Sequence, residues 1–62
     1  RPALCYSLAR YCSVAHEKQR ALEYLSRAIT MEPNLRDQLG DEPDFDPLRS
    51  DPEFQALCTI IV

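Results

Sequence analysis

No stretch of this 62-residue chain is apolar over the roughly 20 residues that a membrane-spanning helix needs. No short apolar core behind a basic start marks a secretory leader either. Neither a membrane span nor a leader is expected. Cysteine is scarce and odd in number, with Cys5, Cys12 and Cys58. Small secreted domains instead carry even counts in dense frameworks. On one helix, Cys5 and Cys12 would stand two turns and about 10 Å apart, beyond disulfide reach. A reducing compartment follows, the cytoplasm or a plastid stroma.

Positive charge is nearly missing from the second half. Residues 37–62 hold Arg49 alone against seven acids, whereas residues 1–36 hold six Lys/Arg against Glu17, Glu23 and Glu32. A nucleic-acid binder would keep a continuous basic face. Arg20 and Arg27 share a helix face, but Arg10 lies on another element and Glu17 and Glu23 dilute the set, so a solvated face is expected and no nucleic-acid partner.

The sequence also lacks catalytic signatures: no acyl-transfer elbow, no phosphate loop, no setting for paired carboxylates. Cys12 and His16 stand at i, i+4, a spacing at which two zinc ligands share a helix face. There is no Cys-x2-Cys pair and no clear fourth ligand, and free cysteine is commonly a small core residue. A nucleophilic thiol would need exposure and a depressed pKa, whereas Cys12 falls in the expected core. Asp44, Asp46 and Asp51 lack the loop glycine and distal glutamate of a calcium hand; capping explains them better. The expectation is a non-enzyme with no catalytic residue, no cofactor and no metal.

What is present is helical periodicity. Cys5, Leu8, Ala9 and Cys12 recur at i, i+3, i+4 and i+7 and predict a first helix over residues 3–15, with Pro2 suited to its first turn. Ala21, Leu22, Leu25, Ala28 and Ile29 predict a second over 18–31, with Tyr24 broadening its buried face. Ala9, Ala21 and Ala28 let the two backbones approach closely. Pro33 ends the second helix, because the residue before a proline avoids the α region. Asn34 is read as the cap of a third helix over about Leu35–Leu39, with Gly40 just past its end.

An acidic, proline-rich segment then repeats itself. Pro43-Asp44-Phe45-x2-Leu48 returns nine residues later as Pro52-Glu53-Phe54-x2-Leu57. Asp46-Pro47 and Asp51-Pro52 both read as N-cap followed by proline at the first helical position. The first pair predicts one turn over Pro47–Arg49. The second predicts a closing helix from Pro52 to about Cys58, with Phe54, Leu57 and Cys58 inward. Thr59–Val62 are β-branched and apolar, with no predicted cover.

The stretch SLARYCSVAHEKQRALEYLSRAITMEP resembles a tetratricopeptide repeat (TPR) of the bacterial or plastid kind, and PDFDPLRSDPEFQAL resembles the segment that often closes such arrays. Together they cover nearly the whole chain. Two positions depart from the pattern. Cys5 replaces a large aromatic, which thins the contact to a preceding helix. His16 stands where the turn usually has glycine, so His16 is expected to adopt positive φ, which histidine tolerates better than most residues.

The resemblance implies an all-α fold: a TPR-like antiparallel hairpin over residues 1–33, then a capping segment over 34–62 with two or three short helices. It implies a protein-interaction module, the C-terminal end of a scaffold or assembly factor, taking a protein or peptide partner. The alternative is a structural capping or self-association unit without its own groove. Groove positions in the family fall at Ala3, Tyr6, Arg10 and Ser13, with Tyr6, Arg10 and Ser13 as the partner-binding candidates, expected on the face away from Leu8 and Cys12. Arrays need about three repeats. The tail is therefore expected to fold back over the second helix, or the chain to pack on upstream repeats, or to pair with another copy. Arg1-Pro2 at the start, without methionine, favours a piece of a longer protein over a processed one.

Overall fold

The computed structural model describes residues 1–59; all of their regular structure is helical, with no strand among them. Helix α1 runs Pro2–Val14 and α2 runs Lys18–Met31, close to the bounds that periodicity predicts. Between them the chain reverses in three residues. The N–H of Glu17 donates to the Cys12 carbonyl at 2.8 Å and that of His16 to the Ser13 carbonyl at 3.0 Å. This pair of bonds is a Schellman closure, which requires a left-handed residue at its hinge. His16 takes that position with φ 62°, as expected.

A side chain there costs energy that glycine avoids. His16→Gly is expected to raise stability by about 0.5–1 kcal/mol, allowing for the freer unfolded chain. A thermal melt by circular dichroism checks this; an unchanged or lower midpoint would mean that the imidazole makes a compensating contact.

The hairpin closes over small residues. Ala9, Ala21 and Ala28 are wholly buried, together with Leu25, and Leu22 and Ile29 nearly so. Cys5, Cys12 and Tyr24 pack at the edge of this core. Glu32 has extended backbone (φ −140°, ψ 88°), which stops α2 before Pro33.

The rest of the chain folds back over the hairpin. A 3₁₀-helical segment, η1 (Pro33–Asp41), packs on α2; a second, η2 (Pro43–Leu48), packs on α1; α3 (Pro52–Cys58) packs on η1 and α2. Leu39, Phe45, Leu48 and Phe54 are the buried anchors of these segments. The tail thus folds back as expected, but it covers α1 as well as the second helix, which alone was expected to receive it.

Two local expectations need correction. Asn34 caps nothing: η1 starts at Pro33 with Glu32 at its N-cap position, runs on through Gly40, and leaves no positive-φ glycine. Asp46-Pro47 does start the expected turn, with the Arg49 N–H donating to the Asp46 carbonyl at 3.2 Å, but the Asp46 side chain does not cap it. The cap of η2 is Glu42, whose Oε1 accepts from the Asp44 N–H at 3.4 Å, and Pro47 lies inside the segment. Asp46 instead turns to Arg49, 2.9 Å away. Asp51 behaves as predicted, with Oδ1 accepting from the N–H groups of Glu53 (2.8 Å) and Phe54 (3.4 Å). In α3, Phe54 is buried, and Leu57 and Cys58 are half-buried against the core, whereas Thr59 is exposed. The reading of residues 60–62 lies outside the described residues.

Three cations fix the tail. Lys18 at the start of α2 lies 2.9 Å from Asp51 at the start of α3. This hydrogen bond holds the Asp51 carboxyl below the usual carboxylate range and pushes the Lys18 ammonium up. Arg36 Nε donates to the Leu57 carbonyl at 2.8 Å. Arg49 spans both 3₁₀ segments, donating to the Leu39 and Glu42 carbonyls.

Candidate functional site

At 100° per residue, α1 has three sides. Ala9, with half-buried Cys5 and Cys12, faces the hairpin core. Tyr6 and Ser13 lie beside them, and η2 meets the helix at Tyr6. Leu4, Tyr11 and Val14 lie on the opposite side.

The second of these sides carries the expected partner-binding residues, and the structure corrects their placement. Tyr6 is 7% exposed and Ser13 fully buried. Arg10 is half-buried, and only Ala3 stands in solvent. The deepest line of α1 is therefore Tyr6, Ala9 and Ser13, one notch round from the Cys5-Leu8-Ala9-Cys12 stripe that the sequence suggests. The cause is the second layer. Burial by α2 alone would centre on Ala9, and η2 draws the centre toward Tyr6.

Phe45 is the reason that η2 settles there. It is wholly buried, and its ring meets Tyr6 edge-on at 5.6 Å and 83°. Phe54 lies 5.7 Å beyond it, so three aromatic rings link α1 through η2 to α3. Edge-to-face pairs of this kind add about 0.5–1.5 kcal/mol beyond their burial. Both copies of the Pro-acid-Phe-x2-Leu unit thus feed one core.

The polar atoms on this side are less well served. Tyr6 Oη, Arg10 Nε and Ser13 Oγ are buried and find no hydrogen-bond partner among the described residues. Arg10 places its guanidinium 6.0 Å from the Tyr6 ring centroid and reaches Glu42 Oε2 with Nη1 at 3.6 Å. Burial, then the Glu42 carboxylate, pushes the Tyr6 hydroxyl above its ordinary pKa, against the pull of Arg10.

A buried hydroxyl with no partner costs about 1–3 kcal/mol. Ser13→Ala removes it without opening a large cavity, so stability is expected to rise by about 1 kcal/mol. Urea unfolding would show the gain as a higher midpoint at unchanged slope. A loss of stability would instead reveal a bonded hydroxyl.

The remaining candidates do not assemble into chemistry. Among the described residues, no three of His, Cys, Asp and Glu come close enough to hold a metal ion. Cys5, Cys12 and Cys58 are free and half-buried. Burial pushes the Cys58 thiol up, against Arg49 and Arg36, which disfavours the thiolate. An open cleft of about 320 Å³ runs between α2 and α3, with Glu23, Arg27 and Glu53 on its rim; its walls are mostly exposed and its charges of both signs.

The periodicity reading overlooks the third side of α1. Leu4 is 57% exposed, Tyr11 69% and Val14 55%. Its sequence signal is the lack of charge: Arg10 is the one ionisable-cation or acid position between Pro2 and Val14. A helix that is apolar all round asks for cover on every side. No described helix is long and apolar enough to cross a membrane. Comparison of the chain with protein-family models, with curated proteins and with solved structures finds no match.

Proposed function

We propose that the chain is a non-enzymatic protein-interaction module, a TPR-type hairpin with its closing segment at the C-terminal end of a scaffold or assembly factor in a reducing compartment such as the cytoplasm. The observation that carries this reading is the uncovered apolar side of α1, formed by Leu4, Tyr11 and Val14. Contiguous apolar surface of this kind marks sites of protein contact. The module meets its partner through that side, where Tyr11 supplies a large, rigid contact.

A specific observation also favours the capping reading. Tyr6 packs against Phe45 of η2 and Ser13 is fully buried, so the groove that the family resemblance implies is filled by the chain itself. In that reading the unit seals an array or pairs with its own kind, and the α1 side is the sealing surface.

One series tests the proposal. Leu4→Ser with Tyr11→Ser should change the folded stability by less than about 0.5 kcal/mol, because both side chains are largely exposed. It should abolish association. A melting midpoint of the natural chain that rises over a hundredfold concentration range, and a double variant whose midpoint does not, is the expected pair of results. A double variant that associates as the natural chain does would remove this side of α1 from the function.

A further inference from the structure

The uncovered side of α1 has an order that a scatter of apolar residues would lack. Leu4, Ser7, Tyr11 and Val14 stand at i, i+3, i+7 and i+10, the alternating spacing of a coiled-coil seam. On a regular helix they share a strip about 80° wide, centred opposite Ala9. Leu4, Tyr11 and Val14 are exposed and Ser7 is half-buried. Arg10, the one charged position from Pro2 to Val14, is turned off the strip and engages Glu42 and the Tyr6 ring. A second helix can lie along the strip without burying a charge.

The strip also matches itself when turned end for end. In an antiparallel pair about a twofold axis, Leu4 falls opposite Val14 of the second copy and Tyr11 opposite its Ser7. Tyr11 then lies over a small side chain, which lets the backbones approach. A parallel pair would stack Tyr11 on Tyr11 and Ser7 on Ser7. The ends agree with the antiparallel sense. The helix starts beside Arg1 and is followed by Glu17, both exposed. Antiparallel packing brings the basic start of one helix to the acidic end of the other and opposes the two helix dipoles. Parallel packing would bring Arg1 to Arg1.

We propose that the occupant of this side is a second copy of the chain, packed antiparallel through α1 about a twofold axis. The inference rests on the interaction-module reading and names the partner of that side. The helix has 13 residues and is about 20 Å long, so its seam supplies less than the roughly 800 Å² per partner of a standard interface. The pair is accordingly weak and transient, with a dissociation constant of about 0.1 mM.

Sedimentation equilibrium of the full chain from about 10 μM to about 1 mM spans that value. The natural chain should follow a closed monomer–dimer equilibrium. Leu4→Lys and Val14→Glu, both at exposed positions, should each weaken the dimer about tenfold or more. An equimolar mixture of the two should associate at least about fivefold more tightly than either alone. The mixed antiparallel pair sets the introduced ammonium on the introduced carboxylate and keeps Leu4 on Val14 in its other layer. Ser7→Ala, which favours the helix, should tighten the natural dimer about threefold or more. A natural chain that is monomeric at about 1 mM overturns the proposal, as does growth beyond a dimer. A mixture no tighter than its components also overturns it. If Leu4→Ser with Tyr11→Ser has still lost association, the interaction side stands and only the antiparallel second copy falls. Should the charged variants be unfolded at low concentration, Ser7→Ala decides alone, and equal or weaker association overturns the pair.

Discussion

Phe45→Ala is expected to unfold most of this chain at room temperature. Phe45 is wholly buried at the point where α1, η2 and α3 meet, with Tyr6 5.6 Å away on one side and Phe54 5.7 Å away on the other. Truncating a buried phenylalanine costs about 3–5 kcal/mol in lost transfer energy and cavity. A domain of this length has about 3–9 kcal/mol in total. The loss therefore approaches the whole stability, and the melting midpoint should drop by about 12 °C or more, at roughly 4–8 °C for each kcal/mol. Phe45→Leu, which keeps most of the volume, should cost less than half as much. If Phe45→Ala melts within about 5 °C of the natural chain, η2 is not the lid of the core, and the hairpin stands without it.

How far that role is legible in the sequence depends on the range over which each signal acts. The bounds of α2 follow from a five-residue apolar period and from Pro33, both local, and the structure agrees within a residue. The Asp51-Pro52 cap is equally local, and so is the strain at His16. Asp46-Pro47 carries the same local signal as Asp51-Pro52 and yet caps nothing, because Arg49 three residues later takes the Asp46 carboxylate and Glu42 caps instead. Asn34 and Gly40 fail for a related reason: Pro33 already offers a start, and the 3₁₀ segment needs no left-handed end.

The partner-binding candidates mark a different limit. Helix α1 is apolar on nearly every side, so periodicity alone finds more than one stripe. Which stripe goes inward is decided by Phe45, more than thirty residues away in the chain, and no window along α1 contains that information. Tyr6 and Ser13 were therefore expected outward and lie inward, while Leu4 and Tyr11, which fall on neither expected stripe, lie outward. The internal repeat of Pro-acid-Phe-x2-Leu was the available clue. Two buried phenylalanines in the tail require two surfaces to receive them, and Tyr6 is the large aromatic of α1 on the side that η2 reaches.

The second large effect is expected at Arg49, and its pattern separates geometry from charge. Arg49 donates to the Leu39 carbonyl at the end of η1 and to the Glu42 carbonyl at the entry to η2, at 3.0 and 2.7 Å. It also pairs with the exposed carboxylate of Asp46 and lies 5.8 Å over the Phe54 ring. The Leu39 carbonyl lies in the last turn of η1, where carbonyls lack partners along the chain, so the guanidinium caps it. At Glu42 it adds a second bond to a carbonyl that already accepts from the Phe45 N–H at 3.1 Å. Hydrogen bonds to a charged donor at half-buried carbonyls contribute about 1.5–3 kcal/mol each before exposure is allowed for. With Arg49 about one-third exposed, 35% by side chain, a loss of about 2–3 kcal/mol is expected for Arg49→Met, which keeps the apolar stem over Phe54. Arg49→Lys should fall nearly as far, since one ammonium cannot span carbonyls on two segments in the fixed fork of a guanidinium. Asp46→Asn should cost less than about 0.5 kcal/mol, because an exposed ion pair contributes little. Chemical denaturation of the three variants gives the ordering directly. Equal losses for Arg49→Met and Asp46→Asn would mean that the ion pair, not the bridging of two carbonyls, holds η2 on α1.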